Sequence, residues 1–294
     1  MKPTKVWQSR PEILLMVMAA AMPIAFWAWV VLLNNFTVEV AAFTGKEIGV
    51  LQSLREVPGF LSFLVVYLLL IIAEQRLALL SLFILGVGVA LTGYFPTVIG
   101  LYITTVISSI GFHYYEACHQ SLSLQWLDKK TAPERMGLIY SVASLAKFLV
   151  LGAIFSAYLL SLSEISWRAL ASSTGLRTGL ESYQITYLFA GLATCGLALL
   201  AYILFPQFNE TVRQTRKIVL RKRYWLYYAL TFISGARRQI FIVFASFLMV
   251  EKFGYSLTQI TALFLLNAAF NIFLAPLVGK VISRIGERAA LVFE

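Results

Sequence analysis

The chain has 294 residues, of which 60% are hydrophobic and 13% charged, and its formal net charge is +10. A soluble domain carries about 25% charged residues, so this chain has too little polar surface to coat a globule, and lipid must be its solvent over much of its length. The positive balance does not point to nucleic acid, because the basic residues sit in short clusters between long apolar runs, as cytoplasmic loops do. Such clusters also meet anionic lipid headgroups favourably. Cys118 and Cys195 lie within apolar runs, form no disulfide framework or zinc pattern, and are predicted to be packed thiols.

A membrane-spanning helix needs about 20 predominantly apolar residues. Eight segments meet this, at about 12–34, 47–72, 77–94, 97–122, 136–160, 184–205, 224–250 and 256–278. They are predicted to be helices because every backbone N–H and C=O in hydrocarbon needs a partner within its own segment. The runs lack the alternating polarity of a membrane barrel. Lys2, Lys5 and Arg10 precede the first run, and Ala19-Ala20-Ala21 resembles a cleavage site. That run nevertheless exceeds the roughly 7–15 residues of a secretory apolar region, so it is read as the first span.

With the N-terminus inside, sixteen lysines and arginines fall in inner segments, against Lys46, Arg168, Arg177 and Lys252 in outer ones. This asymmetry sets the orientation and predicts a multi-pass protein of the bacterial inner membrane. The polar stretch 207–223, with Arg216-Lys217 and Arg221-Lys222-Arg223, separates the first six spans from the last two. The expected layout is a six-helix bundle over 1–206, a basic cytoplasmic linker over 207–223 and the first two helices of a second bundle over 224–294, as in a duplicated transporter. A faint repeat agrees: Thr44-Gly45-Lys46-Glu47-Ile48 enters the second span as Ser256-Leu257-Thr258-Gln259-Ile260 enters the eighth.

Ionisable groups inside a span cost at least ~2.5–3.5 kcal/mol each, so each needs a reason. Arg55 and Glu56 lie in the second span before Pro58-Gly59. Successive residues point about 100° apart on a helix, so each is expected to meet a different helix or water, with Glu56 as a proton or substrate carboxylate or a structural ion-pair member. The fourth span carries Thr105, Ser109, His113, Glu116 and Gln120, whose spacing draws one polar stripe expected to line a cavity. His113 and Glu116 could share a proton; ligands on one helix alone do not close a metal site. Tyr140, Ser144 and Lys147 share a face of the fifth span, and Lys147 lies too deep to reach water. It calls for a carboxylate, a carbonyl or an anionic ligand. Arg237 and Arg238 in the seventh span present planar forks suited to carboxylate or phosphate. Asn267 and Asn271 in the eighth can bond a ligand or join helices. Buried cations outnumber buried anions, which favours an anionic substrate.

The last loop reads Gly279-Lys280-Val281-Ile282-Ser283-Arg284-Ile285-Gly286-Glu287-Arg288. It resembles the G-x-x-x-D-R-x-G-R-R loop of the major facilitator superfamily, with Ser283 in place of the acidic residue and Glu287 in place of a basic one. The first-half copy, Glu74-Gln75-Arg76-Leu77-Ala78, is degraded. The resemblance implies an all-α bundle that transports by alternating between inward- and outward-open states, with Gly279, Arg284, Gly286 and Arg288 as a gating loop. The family has twelve helices, so the end at Glu294 carries the expectation of a fragment or truncated product, with a non-transporting scaffold or sensor, or an inactive fragment, as the alternative. The fifth span lacks the G-x-x-x-G-P pattern of the family's drug/proton antiporters, which counts against drug efflux. No H-E-x-x-H, G-x-S-x-G or G-x-x-x-x-G-K-[ST] motif supports an enzyme, and no cofactor or metal is implied. The expected partners are a small solute, protons as coupling ion and the bilayer.

Overall fold

The computed structural model describes residues 6–162, 180–208, 221–239, 245–286 and 288–290. Among the described residues all regular structure is helical: α1 (Pro11–Glu39), α2 (Gly45–Phe60), α3 (Val65–Leu68), α4 (Glu74–Thr92), α5 (Val98–Trp126), α6 (Ala132–Leu162), α7 (Leu180–Leu204), α8 (Trp225–Gln239), α9 (Ser246–Glu251) and α10 (Leu257–Ile285). Seven stretches among them are long and apolar enough to cross a membrane, with α2 and α3 joined through the 3-10 turn Leu61–Leu64 into one. The expected span at 224–250 corresponds to α8 and α9, and residues 240–244 between them lie outside the described residues.

Helix ends follow local chemistry rather than hydropathy. Pro11 occupies the first turn of α1, where its missing N–H costs nothing. Thr44 and Glu47 form a capping box at the start of α2, and Ser256 and Gln259 form the same box at the start of α10. The faint repeat in the sequence is thus a repeated helix start, each satisfying two orphan N–H groups. At the other end α10 continues to Ile285, beyond the expected 278. Its 29 residues reach about 43 Å at ~1.5 Å per residue, well past a hydrocarbon core of ~30 Å.

Helix α1 is the central post, touching α4, α5, α6, α7 and α10; α4 lies between α5 and α7, α2 against α5, and α10 along α6. Alanines on α1, among them Ala21, Ala25 and Ala28, are buried at these contacts, and small residues let helices approach closely in lipid. Large apolar side chains such as Phe60, Ile71, Ile99, Phe189 and Phe273 point outward, as a surface solvated by acyl chains allows. Both thiols are buried.

Three long helices carry internal prolines: Pro23, Pro58 and Pro276. Proline has no N–H, so the carbonyl four residues earlier loses its ladder bond, and no water replaces it in hydrocarbon. At Pro276 the orphaned carbonyl is met by a hydroxyl from another helix, and near Pro23 and Pro58 hydroxyls from neighbouring helices reach nearby carbonyls. Thr194 on α7 inserts into the ladder of α1, accepting from Ala25 N at 3.1 Å and donating to Ala21 O at 3.1 Å. Ser109 on α5 donates to Arg55 O beside Pro58. Ser141 on α6 donates at 2.7 Å to Ile272 O, the carbonyl that Pro276 orphans.

The α6–α10 seam is antiparallel. A Cβ added at Gly279 would lie 2.6 Å from Pro133 O, and one at Gly137 would lie 2.7 Å from Ala275 O, so these two glycines permit backbone contact at one end. Replacing Ser141 with Ala should lower stability by about 1 kcal/mol, within the ~0.6–1.7 kcal/mol measured for hydrogen bonds between membrane helices. In a Pro276→Ala background, where the alanine restores the ladder donor, the same substitution should cost little. A double-mutant cycle of thermal unfolding in detergent checks the coupling.

Candidate solute site

Lys147 projects from α6 and is 7% exposed. Its ammonium lies 3.5 Å from the ring centroid of Trp27 on α1 and 5.5 Å from that of Phe264 on α10. Its Nζ donates to Asn267 Oδ1 on α10 at 3.1 Å. Trp27 and Phe264 tilt toward each other, with centroids 5.2 Å apart. Three helices therefore converge on one positive charge. No carboxylate pairs with it among the described residues; the charge rests on aromatic faces, which attract cations by their quadrupole, and on one neutral amide oxygen. Asn271 Nδ2 donates to Asn267 O at 2.8 Å and to Asn267 Oδ1 at 3.3 Å, which orients the Asn267 amide. Asn267 is exposed and Asn271 half-buried.

The structure thus brings together Lys147, Asn267 and Asn271 of the residues singled out in the sequence, and the partner that Lys147 required is an amide carbonyl. Trp27 and Phe264 escaped notice because they count as apolar in a hydropathy reading. Helix rise was the available signal: Trp27 lies sixteen residues past Pro11 and Lys147 fifteen past Ala132, so two helices starting from the same side place them at nearly one height. Tyr140 does not share the buried face of Ser144 and Lys147, as its side chain is exposed.

Arg55 and Glu56 differ from expectation. They pair with each other, Arg55 Nη2 to Glu56 Oε1 at 2.7 Å and Nε to the same oxygen at 3.0 Å. A long arginine can bend back across the roughly 100° that separates neighbouring Cβ atoms. Arg55 is buried, with its guanidinium 5.9 Å from the Trp29 centroid, and Glu56 is partly exposed. Phe26, Trp29, Arg55, Ser109 and Phe112 help line a cavity with about 10 Å³ for the centre of a water molecule, room for one water but not for a solute.

The stripe on α5 divides. Thr105 and Ser109 are buried, His113 is half-buried, and Glu116 and Gln120 are exposed. His113 fills the notch at Gly59, where an added Cβ would meet its ring at 2.7 Å. The flanking His119 instead faces α1, with Nε2 3.1 Å from Leu15 O. Glu74 and Gln75 of the degraded motif copy belong to a polar cluster at one end of the bundle. Gln125 donates to the buried Glu74 at 2.7 Å, and Gln75 holds both Pro206 O and Phe208 N at 2.9 Å.

The expected gating loop is shorter than the sequence implied. Gly279 and Arg284 belong to the last turns of α10, because helical hydrogen bonding runs on to Ile285. Gly286 ends the helix with φ +85°, a conformation that suits glycine, and Arg288 lies just beyond it, exposed. The side chains of Arg237 and Arg238 lie outside the described residues.

Membrane-length helices around a buried, partly polar interior define a polytopic α-helical membrane protein. Its family is equally plain: the model of the Major Facilitator Superfamily matches residues 13–294, nearly the whole chain, and the protein belongs to that superfamily of membrane transporters. No curated protein matches it.

A buried ammonium without a counter-ion is a poor device for stability, since desolvating a charge costs more than neutral partners return. Lys147→Met, which keeps the stem and removes the charge, should therefore leave the thermal midpoint equal to or above the parent value. A clear fall in differential scanning fluorimetry would make the ammonium a structural element.

Proposed function

We propose that this protein is a secondary active transporter that moves a small organic anion by alternating access, coupled to protons, with Lys147 holding the anionic group. The observation that carries this reading is the set of groups around Lys147: a buried amine with aromatic and amide neighbours and no paired carboxylate among the described residues. An anion arriving there would find an already desolvated, oriented donor, and a charge-assisted hydrogen bond is about twice as strong as a neutral one. Arg55 contributes less to the surplus of positive charge than its sequence position suggested, because Glu56 answers it. Protons would be carried by His113, Glu116 or Glu56, of which Glu116 is exposed and the other two partly so. Residues 1–206 form the first bundle in this reading, 207–223 the cytoplasmic linker and 224–294 the start of the second, in a bacterial inner membrane with the N-terminus inside. Arg284 and Arg288 would act as gating residues near the close helix contact at Gly279 and the turn at Gly286.

The test is uptake of labelled acetate, succinate and benzoate by the protein in proteoliposomes under an imposed pH gradient. Lys147→Ala should lower uptake at least about tenfold, the smallest effect expected from losing a charge-assisted hydrogen bond of ~1.5–3 kcal/mol, and Arg238→Ala should lower it too. Unchanged uptake in both variants refutes the reading, and intact folding with no uptake of any solute favours a scaffold.

A further inference from the structure

We propose that the Asn267 side-chain amide is a placeholder for the solute's anionic group, occupying its position at Lys147 until the solute displaces it. The inference rests on the proposed role of Lys147 and adds what happens when the anion arrives.

Its basis is the asymmetry of one hydrogen bond. Lys147 Nζ donates to Asn267 Oδ1 at 3.1 Å, and an ammonium has three donors but gains no compensating charge from an amide. Of the two residues, Lys147 is buried and Asn267 exposed, so the amide stands between the ammonium and the surface of α10. Asn271 Nδ2 lies 3.3 Å from the same oxygen and 2.8 Å from Asn267 O, which keeps that oxygen aimed at Lys147. A carboxylate oxygen offers what Oδ1 offers, an acceptor at hydrogen-bond distance, with a full charge in addition. It is therefore the stronger partner for an ammonium held over Trp27 at 3.5 Å. Binding would exchange the amide for the carboxylate and cut the polar link between α6 and α10 at this height. The Ser141 bond to Ile272 O and the contacts of Gly137 and Gly279 would remain. The arriving anion thereby favours the arrangement in which the link is open, the differential interaction that a ligand needs to shift a conformational equilibrium.

The sign of one substitution tests this. Binding of radiolabelled benzoate and succinate is measured on the chain in lipid nanodiscs. If Asn267 competes with the anion, Asn267→Ala removes the competitor and both probes should bind about tenfold tighter, the worth of one hydrogen bond to a charged group. Asn267→Asp keeps the shape but supplies a permanent carboxylate, so binding should weaken about tenfold or vanish. Lys147→Gln should abolish binding in either background. Weaker binding by Asn267→Ala would make Asn267 a ligand of the anion and overturn the placeholder while sparing the anion reading. Unchanged binding by Asn267→Asp overturns it as well, and that variant keeps the test decisive should the alanine fold poorly. Binding that survives Lys147→Gln, or the absence of any binding by the parent chain, removes both proposals together.

Discussion

The rest of this structure depends on the requirement that backbone polar groups in hydrocarbon find partners inside the protein. An uninterrupted helix meets that requirement by itself, and α1, α2 and α10 do not, because Pro23, Pro58 and Pro276 break their ladders. For α10 the repair is a hydroxyl from a neighbouring helix, Ser141 donating to Ile272 O, while Thr194 and Ser109 bond carbonyls of α1 and α2 close to Pro23 and Pro58. Helix association in lipid lacks the hydrophobic drive it has in water and relies on close packing and such polar contacts. Pro276 thus gives α10 a carbonyl that only a neighbour such as α6 can satisfy.

Against that background the polar residues of the interior fall into two kinds. Arg55, Ser109 and Thr194 are answered from within the first six spans, by Glu56, by a carbonyl and by an interrupted ladder. They hold the bundle together and leave beside them a cavity no larger than a water molecule needs. Among the described residues Lys147 is answered only by neutral groups, two of them aromatic. Desolvation of an ion is expensive and a lone amide recovers little of it, so the junction is electrostatically unfinished in a way that the Arg55 site is not. That contrast, rather than the number of basic residues, is the argument for an anionic solute.

The existence of the spans was legible because apolar runs of this length have one solution in lipid, and the capping boxes at Thr44 and Ser256 were visible as a repeat before their geometry gave them meaning. Lys147 could be identified as needing a partner, since its depth follows from helix rise. What the sequence hid was contact across helices. Trp27 reads as one more apolar residue, although its ring face is the nearest aromatic neighbour of the ammonium. Ser141 and Ile272 lie 131 residues apart, with only Pro276 to suggest that one carbonyl needs help. The pairing of Arg55 with Glu56 was missed by treating side chains as rigid spokes. The end of α10 was placed too early because Lys280 and Arg284 stop a hydropathy run without stopping a helix.

Backbone repair and unfinished charge meet along α6 and α10. Near Gly137 and Gly279 the seam is backbone against backbone, a contact with no side chain able to rearrange. One turn further, Ser141 secures α10 through a carbonyl with no ladder partner. At Lys147 the contact becomes a hydrogen bond between side chains, and beyond it a Cβ added at Gly152 would come no nearer than 3.9 Å to Leu265, an ordinary van der Waals distance. Closeness and irreplaceability therefore fall along the seam from one end to the other. Side-chain contacts can be exchanged at small cost, whereas a buried carbonyl stripped of its donor or a glycine contact forced apart cannot. The contacts that cannot be exchanged thus lie at the glycine end of the seam, and the exchangeable polar one lies at Lys147.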